Sequence, residues 1–285
     1  MQLFTPEKVI PSNFRIGSYD KIQRREDSIS NLPDQSLPLP ATNRLVATRR
    51  AILLGVFAIA LLLAYGLLRF PSVLTASPTG VRSLLGDCII LVIYALVGWS
   101  GPLITNRIHP QILRTGNRIG LLAGAVFVAE ILLEYVLLPD DNTRMGLVEY
   151  GLVLALFFLA GVWVAYQTKS WRNSLLAAIW SAVVASLIWY ITSLFVFYLF
   201  NGTPQQAQVF RAEGNYADFA RSRLVDINTF VMEDFMGAGF FHSLLLPALA
   251  AIFGSIGAAI GKALARLRKI TTHPDQETRR TDATR

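Results

Sequence analysis

The chain has 285 residues, of which 53% are hydrophobic and only 16% charged. A soluble domain of this size carries about 25% charged residues. Here the shortfall is concentrated in long runs almost free of charge, which excludes a pair of soluble domains and predicts one membrane domain with polar tails. The net charge of +7 lies in segments flanking those runs, which points to orientation and to anionic lipid headgroups and away from nucleic acid.

The first fifty residues are polar and carry Pro6, Pro11, Pro33, Pro38 and Pro40. They contain no apolar stretch that would read as a cleavable signal, and they predict a largely disordered tail over 1–50. Six apolar runs follow, at 51–70, 83–105, 119–138, 146–166, 174–200 and 237–265. At 1.5 Å per residue, about 20 residues cross a 30 Å hydrocarbon core, and every run reaches that length. A transmembrane barrel needs alternating segments of about ten residues, which are absent. The predicted fold is therefore all-α: a polytopic membrane bundle of six helices within 51–268, then a solvated tail over 269–285.

Lys and Arg set the orientation. Twenty fall in the N-terminal tail, the loops after the second and fourth runs, and the C-terminal segment from Lys262, against six on the other side. Both termini are then cytoplasmic, in a plasma (inner) membrane, by the positive-inside rule. Trp163, Tyr166 and Trp171 mark the inner boundary, and Phe195, Phe197, Tyr198 and Phe200 the outer one. The loop 201–236 becomes extracytoplasmic. Within it, Tyr216, Phe219, Leu224, Ile227, Phe230, Val231 and Phe235 recur near helical spacing, which predicts an amphipathic helix on the outer surface running into the last span.

In the second run, Pro102 follows Gly98, Trp99, Ser100 and Gly101 and is expected to kink or end the helix. The single cysteine, Cys88, excludes an intrachain disulfide or thiolate metal site and reads as a small buried hydrophobe. The two three-helix halves share no pattern, so an inverted repeat is not expected.

The residues that stand out are those that do not belong in lipid. Glu130 and Glu134 lie four apart, on one face of the third helix, in a stripe with Gly120, Ala123, Gly124 and Phe127. A charge near the bilayer centre costs at least about 2.5–3.5 kcal/mol, so such residues face a bundle interior or water. Asp87, Glu134, Glu149 in the first turn of the fourth helix and His242 in the second turn of the sixth all fall in the outer half, and Glu130 is the deepest. The inner half has no matching acids, which argues against a continuous proton wire. The pattern fits an outer layer of ion pairs with Arg69, Arg82 and Arg144, a cation- or proton-linked site, or contact with a partner subunit.

The sixth run carries a small-residue stripe through Gly254, Gly257 and Gly261, which permits close helix approach inside the bundle or between copies of the chain. No phosphate loop, zinc motif or nucleophile elbow occurs, and the sequence implies no cofactor. The three histidines are too scattered to form a metal pocket. Three functions remain: a structural, assembly or accessory subunit of a membrane complex; a small cation- or proton-linked transporter or channel subunit; and, last, an intramembrane enzyme.

Overall fold

A computed structural model describes residues 41–271 apart from 77, 223 and 225. The chain divides into two units, residues 1–44 and 45–285, and the first enters the described residues only as the opening turn of α1. The helices are α1 (Ala41–Arg69), α2 (Ser72–Thr75), α3 (Pro78–Ile108), α4 (Pro110–Leu137), α5 (Thr143–Thr168), α6 (Trp171–Leu199), α7 (Pro204–Ala212), α8 (Asn215–Ser222) and α9 (Ile227–Thr271). No strand forms among the described residues. Six helices, α1, α3, α4, α5, α6 and α9, are long and apolar enough to cross a membrane, which is compatible with a multi-pass membrane protein.

The helices overrun their apolar stretches, and capping sets several of the boundaries. Pro110 opens α4 behind an extended His109 whose Nδ1 accepts from the Gln111 amide, an N-cap followed by proline at the first helical position. The helix closes at Leu138 in the left-handed region, φ 47°, with its amide on the Glu134 carbonyl. Ser170 caps α6 through the Asn173 amide. The expected disordered segment 1–50 falls mainly outside the described residues, but 41–50 are helical, the first part of α1. The tail expected beyond 269 is outside them from 272 onward.

Two expectations change. Pro102 does not end α3, which continues to Ile108. The loop 201–236 does not hold one continuous amphipathic helix. It contains α7 and α8, and α9 begins afresh at Ile227. The cause is local: Asp226 accepts from both the Thr229 amide (2.9 Å) and the Thr229 hydroxyl (2.6 Å), which starts a new helix. Gly202 and Gly214, at φ 76° and 78°, turn the chain on either side of α7.

Packing is organised around α6. Its most apolar stretch is 61% buried, against 22–39% for the other five spans. It touches α4, α5 and α9, and its Tyr190, Leu194 and Phe197 share a core with Ile59 and Leu63 of α1 and Met232 and Met236 of α9. Phe197 is thus core rather than boundary, while Phe195 faces outward. The perimeter is greasy: Leu54, Phe57, Leu96, Val136 and Leu147 are all exposed, far more apolar surface than a soluble monomer leaves bare. Cys88 belongs to that perimeter and is exposed, not buried.

The stripe on α9 is spent inside the bundle. A Cβ at Gly257 would overlap the Phe158 carbonyl, one at Gly261 the Val162 carbonyl, and one at Gly254 the Ala178 side chain. Gly161 of α5 returns the contact onto Gly254. This is backbone-to-backbone approach that only glycine permits.

The bundle has two chemically different ends. The connections α1–α3, α4–α5 and α6–α9 share one, here the loop end. The other, the basic end, carries Arg49, Arg50, Arg107, Arg114, Arg118, Lys169, Arg172, Lys262, Arg266 and Arg268, and no Asp or Glu among the described residues.

Candidate functional site

At the loop end, Glu130 and Glu134 of α4 and Glu213 just past α7 line a single cavity of about 130 Å³. Tyr135, Asn142, Trp189, Ser193, Phe210 and Phe235 are among the other residues of its wall. Helical spacing aligns the first two acids. Asn142, in the joint to α5, donates its amide to Glu134 Oε1 at 2.6 Å. The lid is fixed by Gln206, which donates to the Phe197 carbonyl (3.1 Å) and accepts from the Gly202 amide (2.9 Å). Thr203 caps α7.

Glu213 is the residue that sequence inspection misses. It lies in a polar loop, where an acid is unremarkable, and only the fold of α7 over α4 reveals it. The residue as a whole is exposed, but protein surrounds its carboxyl. That desolvation, reinforced by the Glu134 charge, pushes it up to about 8, against the Asn215 amide that donates to it. Its folded value lies above its unfolded one, so folding is favoured while the group is protonated. That advantage is lost as pH rises through the window between the ordinary Glu value and about 8. Thermal melts in detergent should therefore fall from pH 5 to pH 8, and Glu213→Gln should flatten that fall. An unchanged pH profile in the variant would remove Glu213 from the account.

The ion-paired layer is not formed. Among the described residues, Asp87, Glu130, Glu134 and Glu149 make no ion pair with Arg69, Arg82 or Arg144, all three of which are exposed. Nor do the five candidates share one site. Glu149 is buried, in the second turn of α5 because that helix starts at Thr143. It stands near enough to Glu130 and Glu134 for their charges to interact, and its Oε1 has no hydrogen-bond partner. Asp87 is fully buried on α3, with Oδ2 accepting from the Tyr190 hydroxyl at 2.7 Å and Oδ1 unpartnered.

His242 is not near the start of its helix, since α9 begins fifteen residues before it. Its Nδ1 lies 2.8 Å from the Ala238 carbonyl, its Nε2 lies 2.6 Å from the Tyr150 hydroxyl, and its ring stacks on Trp189 at 4.3 Å. A carbonyl can only accept, so Nδ1 carries the proton. In the neutral ring Nε2 then accepts from Tyr150. Trp189 is shared between this group and the acid-lined cavity.

Among the described residues, no three His, Cys, Asp or Glu side chains converge as a metal site requires. The cavity can hold a proton on its carboxyls or a cation met by scattered charges and aromatic faces, rather than a metal gripped by a ligand set. Comparison of the chain with protein families, with curated proteins and with solved structures finds no match.

Proposed function

We propose that this chain is a small cation- or proton-linked membrane carrier or channel subunit whose binding site is the cavity lined by Glu130, Glu134 and Glu213. One observation carries it: three acidic residues line a common space, with no Arg or Lys in its lining. Acids held within a membrane bundle without a countercharge mark ion and proton pathways. The assembly reading loses one of its supports, because the glycine stripe of α9 is consumed by contacts to α5 and α6. We further propose that the loop end faces outward and the basic end the cytoplasm of a plasma membrane, in keeping with the charge asymmetry.

Proteoliposomes with an internal pH-sensitive dye and an imposed inside-negative potential test the site. Proton entry above that of empty liposomes is expected, with a loss of about tenfold or more in Glu130→Gln, as for removal of a principal acid–base group. Asp141→Cys in a Cys88→Ser background should react with an impermeant maleimide from outside intact cells. Wild-type entry equal to empty liposomes, with stoichiometric co-purification of other subunits, would return the chain to an assembly role.

A further inference from the structure

We propose that the lateral groove between α1, α4 and α6 holds an acyl chain of an anionic phospholipid. The groove encloses about 350 Å³ and lies within the spans, away from the acid-lined cavity. It exists because α1 presents the small residues Ala47, Ala51 and Gly55 at every fourth position beside Thr48 and Ile52, which leaves a lateral space toward Leu121; the space narrows at Gly55, where even a Cβ would touch Leu187 and Ile191. Thr48 to Gly55 is about 10 Å along the helix axis. A space of that length and volume suits a flexible hydrocarbon chain. The groove's rim is hydrocarbon-facing, since Leu54 and Leu121 are 65% and 59% exposed.

At its basic end the groove is bordered by a satisfied polar latch and continues past it to Ala47. The Asn117 amide donates to Thr48 Oγ1 (2.9 Å), and Asn117 Oδ1 accepts from Trp180 Nε1 (2.7 Å). With both ends of that amide engaged, Asn117 fixes α1 against α4 and α6 and offers no headgroup contact. Around the latch the chemistry changes sign. Arg114 stands one helical turn nearer the basic end on the same face of α4, while Arg118 and Arg50 flank the latch at about its own level, next to Asn117 and two residues past Thr48; all three are exposed. No described acid lies at that end to neutralise them. A ligand with a hydrocarbon chain in the groove and a negative headgroup at those arginines meets both requirements, and a zwitterionic lipid meets only the first.

The proposal depends on the membrane spans and not on the cation reading. Its test uses the full-length protein in vesicles containing phosphatidylglycerol or phosphatidylcholine of the same chain length, each with a diazirine in the acyl chain. Photolabelling should concentrate on peptides spanning 45–55 and 184–191 in wild type, with phosphatidylglycerol favoured. Arg114→Gln and Arg118→Gln should each cut that preference about fivefold, the factor one basic residue contributes at an anionic surface. Ala51→Phe should fill the groove and abolish the local label. Should that variant fail to fold, the wild-type comparison and the arginine variants still decide. Label spread evenly round the perimeter, or equal for the two lipids, overturns the proposal.

Discussion

Gly161→Leu is expected to prevent α5 and α9 from closing, and with them the bundle. A Cβ at Gly161 already overlaps the carbonyl and Cα of Gly254. Backbone atoms offer no rotamer to move, so the two helices must separate along their whole contact. Overpacking in a core that can adjust costs about 1–3 kcal/mol, and a backbone clash on a seam that Gly257 and Gly261 also hold at backbone distance exceeds that range. Gly151→Leu is the control, because nothing lies within 4 Å of a Cβ placed there. A substitution of that kind is usually within about 0.5 kcal/mol of neutral. Size-exclusion profiles in mild detergent should show the folded peak lost for Gly161→Leu and kept for Gly151→Leu. Two identical profiles would mean that the glycine seam does not hold the bundle together.

Tyr190→Phe carries the second large effect. Asp87 is fully buried and its one hydrogen-bond partner is the Tyr190 hydroxyl. Removing that hydroxyl leaves a carboxyl in the interior with neither oxygen satisfied, at a cost of about 1–3 kcal/mol. For a protein of this size the melting temperature should fall by roughly 2–10 °C. Adding Asp87→Leu to Tyr190→Phe should recover most of the loss, because deleting both partners of a buried hydrogen bond can be nearly neutral. The contrast between the single and double variants distinguishes an unsatisfied polar group from a packing defect at Tyr190, for which Gly239 makes room beside the ring. Wild-type melting in Tyr190→Phe would show that α3 is not tied to α6 through this pair.

The spans were legible because membranes impose a length and a charge rule on sequence, and both act residue by residue. Six runs of about 20 apolar residues can be counted without knowing how they pack. What hydropathy cannot express is which helix lies inside: α6 and α4 are equally apolar, yet 61% of one stretch is buried and 39% of the other. The same limit explains Phe197 and Cys88, whose roles depend on which face of the helix meets a neighbour. Glu130 and Glu134 were legible as a pair because i,i+4 spacing is a local property. Their meeting with Glu213 required α7 to fold back over α4, a contact between residues nearly eighty positions apart. His242 lies deeper in its helix than its apolar run suggests, because a helix that starts with a capped Asp226–Thr229 turn reaches well beyond its apolar stretch.

The enclosure of α6 has a consequence for how the molecule is made. Helices enter a membrane in chain order, and domains fold from the N-terminal side during synthesis. When α6 arrives, α9 is still missing, and the flank it later covers carries polar groups as well as apolar ones. The Tyr94 hydroxyl, beside Ser186 at 2.8 Å, awaits the Ser243 carbonyl, and Trp189 awaits the His242 ring. Until the last span docks, those groups confront acyl chains that can offer them nothing. Docking of α9 is therefore a waterproofing step, in which that helix seals the interior by glycine contact. A ribosome that stops short of α9 releases a chain that leaves those polar groups facing lipid, the kind of defect by which membrane quality control can tell an unfinished product from a finished one.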